Sequence, residues 1–544
     1  MPIRTDADGK VILRFNGGLN ARSSELDIDP GECSDGKNFD LVWGRKTLQR
    51  RKPFDAVATA PNGAAIRGGA QLLKSDGTRS VLIQAGGIVY SWDGTSGSGG
   101  MTQVGVCSSA SRLRGYIEGN SVKDGNVLIG DLNLATPVKQ WNGTTFSTLT
   151  TNLGSDFYAK YISVQNERAI YANCKEGSTA RSHLLVGSAR DTFGTITTAN
   201  RPSSSLGVGD AFFLPMPNLK PVNSLITGIG QEIIVGTYLG DFYRLTGVDS
   251  KDYALNEFYA SISSEPDEGA AFVGNDILFS RHGAIDSMSG VERFGNIETD
   301  DISQWLRPLV ENIESFTLVY NHRLKKLYAF PKGGGKVYVL HKSFIDEQHS
   351  HRLLGTIPQG QGLLSPWSVW DTDHGFAFNP TMVMRLKDPN DGLEYIYMGA
   401  ADGTLYRLDA PSVGADPGSN DINCQRLSGV IRIPPARAYS LNGWVLHRQL
   451  FSHTITLKFE YGGEQLFDKT VTVTMDAASN APVFGGSVYF GGSTYFNSSF
   501  NGGRLQRRKF SPPGVAENIQ VRVTVDGAKD FFIEELGLQF KVSA

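Results

Sequence analysis

At 544 residues the chain is long enough for several compact units, yet a closed β-propeller occupies roughly 300 residues as one domain, so two folded domains and an arm are expected. Its 52 basic and 55 acidic residues leave a formal net charge of -3, which excludes a global attraction to nucleic acid or to a membrane surface. The 63 glycines, set among 29 Phe, 19 Tyr and 7 Trp, oppose disorder and suit many tight β-turns.

The first element is an extended arm over residues 1–55. Phe15-Asn16-Gly17-Gly18-Leu19-Asn20 is followed by Asp29-Pro30-Gly31-Glu32 and by Asn38-Phe39-Asp40, then by Arg50-Arg51-Lys52-Pro53. Turn residues recur too densely for a helix, so the arm has little core of its own and must pack elsewhere. This ordered set resembles the N-terminal region of the nozzle, or tubular tail, proteins of short-tailed bacteriophages. The resemblance implies a β-propeller carried in a homohexameric ring below the portal and the head-to-tail adaptor protein. It further implies tail fibre or tail needle proteins as partners, double-stranded DNA passing without specific binding, and a place in the virion tail. On that basis Phe15, Gly17, Gly18, Leu19, Asn20, Pro30, Gly31, Asn38, Phe39 and Asp40 are the candidate assembly residues. They are expected to pack on the chain's own propeller or on an adjacent subunit, and an arm-deleted chain is expected to fold but not to assemble.

Residues 56–410 repeat one phrase: a short β-rich apolar run, a tight turn, then a second run carrying an aromatic. Ile233-Ile234-Val235-Gly236 leading to Tyr243-Arg244-Leu245 is matched by Ile396-Tyr397-Met398-Gly399 leading to Tyr406-Arg407-Leu408. Other copies begin at Val81, Val127, Ile277 and Leu327. A hairpin of this kind cannot bury both faces alone, so the copies predict a β-propeller of six or seven blades, with a series of β-sandwiches as the alternative. The stretch between Tyr161 and Phe213 counts as one blade or as parts of two. The recurring tyrosines read as core between blades.

Ile302, Trp305, Leu306, Leu309 and Ile313 share one helical face, with Asp300 or Asp301 as cap and Pro308 inside, which predicts a short or kinked helix on the propeller rim. Lys332-Gly333-Gly334-Gly335-Lys336 lacks the Ser or Thr of a phosphate loop and reads as a hairpin turn. His349-Ser350-His351 has no third metal ligand fixed by the sequence. Asp371-Thr372-Asp373-His374-Gly375 and Asp388-Pro389-Asn390-Asp391-Gly392 supply too few oxygens for calcium and read as turns.

A linker over 411–423 precedes strict alternation. Ile455, Leu457, Phe459 and Tyr461 share one face, as do Ile519, Val521, Val523 and Val525, and Leu536, Leu538, Phe540 and Val542. One apolar face per strand predicts an antiparallel, β-sandwich-like platform domain over 424–544. Within it, Phe484, Tyr489, Phe490, Tyr495, Phe496 and Phe500 mark an uncharged aromatic-glycine loop. That loop reads as a channel or interface element, or as a hairpin folded over its own domain. Arg504, Arg507, Arg508 and Lys509 follow as candidate contacts to phosphates or to a partner's carboxylates, with a solvated face as the plain alternative.

The search for reactive chemistry is nearly empty. There is no G-x-S-x-G, Walker A, H-E-x-x-H or dinucleotide fingerprint. Cys33, Cys107, Cys174 and Cys424 form no C-x-x-C and read as reduced thiols. The N-terminus has no apolar signal core, so the expectation is synthesis in the host bacterial cytoplasm without signal-peptide export. The sequence therefore points to an all-β structural virion protein with no catalytic residue, metal or cofactor, a nozzle subunit whose ring forms the channel for genome ejection. A receptor-binding propeller that grips host surface glycan and a polysaccharide-degrading tail enzyme are the alternatives.

Overall fold

The computed structural model describes residues 10–542 except 16, 25–26, 43–46, 75–76, 78, 116–124, 154, 228–232, 239–240, 260–267, 275, 289–299, 347–363, 372–377, 411–414, 418–420, 433–437, 449–453, 462–463, 466–470, 475–504, 511–514, 517 and 527–531. It is almost entirely β. Five four-stranded sheets and one eight-stranded sheet make up the central region. The larger sheet is two four-stranded arrays joined at their innermost strands by a single parallel pairing, Arg114 with Gly69. The described strands thus form seven blades.

Each repeated phrase is the middle hairpin of its own blade. The two best copies are Ile233–Thr237 with Phe242–Thr246 in blade 4, and Glu394–Gly399 with Thr404–Arg407 in blade 7. The ambiguous stretch is one blade, blade 3, running from Phe157–Gln165 to Phe212–Pro215. Tyr243 lies in a core shared by blades 3 and 4, and Tyr406 in one shared by blades 6 and 7, so the recurring tyrosines are inter-blade packing. Asp55–Thr59, at the start of the propeller sequence, supplies the outermost strand of blade 7 by pairing with Thr404–Arg407. A strand from one end of the domain closing the blade at the other end leaves no unpaired break in the ring.

Between the hairpin strands Lys326–Pro331 and Val337–His341 of blade 6, Gly333, Gly334 and Gly335 have φ of 93°, 85° and 118°. Side chains rarely tolerate that region, which explains the triple glycine as a turn. The Asp388–Gly392 segment is also a turn, with Asp388 Oδ1 accepting from Asn390 N at 2.8 Å. The predicted helix is a single 3-10 turn, Gln304–Leu306, running into Arg307–Val310. Pro308 falls in the first turn of the α segment, where its missing N–H breaks no helical bond, so the predicted penalty does not arise. The cap position is Ser303 and not either predicted aspartate; Asp301, two residues ahead of it, accepts from Ser303 N at 2.9 Å and from Arg307 Nε at 3.0 Å.

The platform is two seven-stranded sheets built from both ends of the chain. In one, Phe532–Val542 pairs with Ala438–Arg448 and also with Lys10–Leu13 and Thr47–Arg50 of the arm, and Thr47–Arg50 pairs onward with Phe39–Val42. In the other, Cys33–Lys37 pairs with Cys424–Ser428, which pairs with Asn518–Asp526 beside Thr454–Tyr461. Ile455, Leu457, Phe459, Ile519, Val521, Val523, Val525, Leu536 and Leu538 all point into the core, while the side chains of Tyr461, Phe540 and Val542 lie outside the described residues. The thiols of Cys33, Cys174 and Cys424 are buried, and all four cysteines are unbridged.

Candidate functional site

The arm finds its packing partners within its own chain. Gly17-Gly18 lies against blade 6, whose outermost strand is Trp367–Trp370. Gly18 N donates to Ser365 O at 2.7 Å, Leu19 N to Trp367 O at 2.8 Å, and Asn38 N to Val369 O at 2.7 Å. The outer edge of blade 6 is thereby covered by the arm, as an exposed sheet edge requires. The approach is so close that a Cβ on Gly18 would stand 2.1 Å from the Trp367 carbonyl oxygen, and one on Gly17 would stand 2.5 Å from Glu32 Cγ. Gly18→Ala is therefore expected to cost about 1–3 kcal/mol through overpacking, read as a lower denaturation midpoint.

Asp29-Pro30-Gly31-Glu32 is a tight turn. Asp29 Oδ1 accepts from Gly31 N at 2.7 Å, and Asp29 O accepts from Glu32 N at 2.8 Å. The turn aims Glu32 inward, where it accepts from Asn20 Nδ2 at 3.0 Å and from Ser365 N at 2.6 Å. Burial raises the Glu32 carboxyl pKa, and these two bonds oppose the rise. Phe15, Leu19 and Phe39 enter one hydrophobic core with Val445, Ile455 and Leu457 of the platform and Phe316, Leu327 and Trp367 of the propeller.

Three buried cations tie the seam together. Arg426 Nη2 donates to Gly17 O at 2.7 Å and to Gly31 O, with its guanidinium 5.3 Å from both the Phe15 and Phe39 rings. Arg51 donates through Nε to Asn38 Oδ1 and through Nη1 to Asp416 Oδ1, each at 2.9 Å, and is packed among Phe54, Trp370 and Phe378. Lys326 Nζ donates to Asp40 Oδ2 at 2.6 Å and to Asp409 Oδ1 at 2.8 Å, linking the arm to blade 6 and to the end of blade 7. Burial disfavours the Lys326 charge, but the two carboxylates outweigh it and raise its pKa.

Beside Lys326, His341 Nε2 lies 2.8 Å from Ser368 Oγ. Burial and the Lys326 charge hold its pKa well below 6.5. A histidine neutral when folded contributes stability that is present above the unfolded pKa and is lost as pH falls below about 6.5. The difference in unfolding free energy between wild type and His341→Gln should accordingly shrink as pH drops from about 7.5 towards 5.

The arm residues are thus brought together, whereas the late candidates are not. Phe484, Tyr489, Phe490, Tyr495, Phe496, Phe500 and Arg504, like His349 and His351, lie outside the described residues, as do the side chains of Arg507 and Arg508. Lys509 is exposed on the platform strand Leu505–Phe510. Sequence reasoning missed Lys326, Asp409, Asp416 and Arg426 as seam residues, because partners separated by hundreds of positions leave no local motif, and it quoted Glu32 within the turn motif without assigning it a contact.

The propeller axis holds a cavity of about 240 Å³ lined by innermost strands, including Tyr161, Ile226, Phe272, Val319 and Met384. Glu268, just before blade 5, pairs across it with Arg114 of blade 2 and with Arg112 at 3.0 Å. Those cations outweigh burial and lower the Glu268 pKa. Among the described residues the cavity is smaller than the ~300–1,000 Å³ pockets that enclose small ligands.

No family model and no curated protein matches the chain. Among solved structures it is similar to YCF48 bound to D1 peptide, at 11% identity and a TM-score of 0.41, over 68% of this chain and 98% of that one. It is also similar to the extracellular domain of the putative one-component system BT4673 from B. thetaiotaomicron, at 12% identity and a TM-score of 0.39, over 79% and 48% of the two chains. The Neurospora crassa Pan2 WD40 domain aligns at 9% identity with a TM-score of 0.39, over 66% and 97%. At such identities the likeness concerns the β-propeller fold alone.

Proposed function

We propose that this chain is a structural virion protein, a subunit of a ring-shaped bacteriophage tail nozzle that sits below the portal and adaptor and forms the channel for genome ejection. The observation that carries the reading is the ordered Gly17-Gly18-Leu19-Asn20, Pro30-Gly31-Glu32 and Asn38-Phe39-Asp40 set, every part of which serves one seam joining propeller to platform. A conduit under load needs closed sheets and stiff joints, and this seam supports the reading as a joint of that kind. With an axial cavity of about 240 Å³ among the described residues, the channel of this proposal runs between subunits of a homohexamer and not through a propeller. Adaptor and tail fibre or needle proteins are the partners it implies, and the virion tail its location.

Single-particle imaging tests the reading, with the purified chain alone and mixed with tail-stripped capsids of the source phage. Six-fold rings, or capsids that gain a tubular extension, are the expected result. A monomer that never docks would overturn it.

A further inference from the structure

A second cavity, of about 490 Å³, opens on the propeller rim where blade 7 meets blade 1. Its volume falls within the ~300–1,000 Å³ range of ligand pockets. Its walls mix the two surface types that a sugar presents. Ala56, Val57, Ala415 and Pro417 give an apolar side, with Phe54 buried behind them, while Asp55, Ser96, Asn390 and Arg407 give polar groups.

Those polar groups are held in place from behind. Arg407 Nη1 donates to Asp388 Oδ2 at 2.8 Å, and its guanidinium rests 4.9 Å from the Tyr395 ring centre. Asp388 also accepts from Tyr397 OH at 2.7 Å. Asn390 Nδ2 donates to Gly94 O at 2.8 Å, which fixes the amide across the boundary between the blades. Arg407 Nη2 stands 3.6 Å from Asp55 Oδ2, and the Asp55 side chain is 30% exposed, so a ligand hydroxyl can reach both.

Charge narrows the class of ligand. Asp55 and Asp388 against Arg407 leave the lining one negative charge in excess, which disfavours phosphates and acidic glycans. A carboxylate, an amide and a guanidinium beside an apolar wall match the hydroxyls and the C–H face of a neutral pyranose. We infer that this rim cleft binds a neutral saccharide of one or two residues. The inference goes beyond the nozzle reading, and because its test is made on the free chain, it stands or falls separately from ring assembly.

Saturation-transfer NMR on the full chain, with maltose, cellobiose, lactose and N,N′-diacetylchitobiose each at millimolar concentration, makes the test. Transfer to the ring protons of at least one of these sugars is expected. Ser96→Trp, which fills the cleft mouth from an exposed loop, and Asp55→Ala should each reduce that transfer at least fivefold. Circular dichroism and the melting temperature must match wild type for either variant to count. Transfer to none of the sugars overturns the inference, as does transfer that persists in a folded Ser96→Trp chain. Agmatine displacing the bound sugar would support the location, whereas agmatine binding without any sugar binding would overturn the saccharide assignment.

Discussion

A chain beginning at Asp55 is expected to lose its platform and to aggregate under conditions in which the full chain stays monodisperse. The arm contributes Val11, Leu13, Phe15, Leu19, Cys33, Phe39, Leu41 and Leu48 to the largest core. At about 1.5–3 kcal/mol for each fully buried aliphatic or aromatic side chain, that contribution reaches the ~5–15 kcal/mol stability of a whole domain. Removal also strips the strands Lys10–Leu13 and Thr47–Arg50 from Phe532–Val542, and uncovers the outer edge of blade 6. An unpaired edge beside exposed apolar surface is an aggregation site. The structure thus replaces the sequence-based expectation of a folded but assembly-deficient product. Size-exclusion chromatography and limited proteolysis of the truncated chain give the check, and adding residues 1–54 as a separate polypeptide should restore a protease-resistant platform. A truncated chain that stays monodisperse with an unchanged melting temperature would show that the arm is dispensable to the fold.

The difference between those two expectations shows where the sequence is legible. Local patterns were readable because their causes are local. Alternation at Ile519, Val521, Val523 and Val525 reflects a sheet with one buried face, and the triple glycine at 333–335 reflects a turn with positive φ. The paired copies ending in Tyr-Arg-Leu reflect equivalent hairpins of blades 4 and 7. The poverty of the arm's own core was readable too, but not where the arm packs. Gly17-Gly18 signals that some backbone comes close, while the identity of that backbone, the segment from Ser365 to Trp367, is set by the closure of blade 6 more than three hundred residues later. The basic run at Arg50-Arg51 illustrates the same limit. Read locally it is a charged stretch, yet Arg51 is buried, because Asp416 and the rings of Trp370 and Phe378 arrive from other parts of the chain.

Lys326→Met is the point substitution expected to do the most damage to the joint. The methionine preserves the stem and removes the ammonium, so Asp40 and Asp409 remain buried with no cation between them. Breaking a buried ion pair from one side costs about 3–5 kcal/mol, because the remaining charge has lost its compensation. Two features separate this from a simple packing loss. Adding Asp409→Asn to Lys326→Met should recover part of the loss, since one uncompensated charge goes with it, and the double-mutant cycle should give a coupling beyond the ~0.5 kcal/mol typical of independent sites. Acid should also narrow the gap. The Lys326 charge is one of the causes, after burial, that hold the His341 pKa down, and His341 Nε2 lies 3.9 Å from Asp40 Oδ1, so in the variant the imidazole can take up a proton beside the bare carboxylate and the deficit relative to wild type should fall from pH 7 towards 5. Urea unfolding at both pH values measures the trend, and a deficit independent of pH would mean that the methionine acts through shape alone. Because Asp40 belongs to the arm, Lys326 to blade 6 and Asp409 to the end of blade 7, the same substitution loosens all three at one point. Under the nozzle proposal, a folded Lys326→Met chain should form fewer rings than wild type at equal concentration, since the angle between propeller and platform is then no longer fixed before subunits meet.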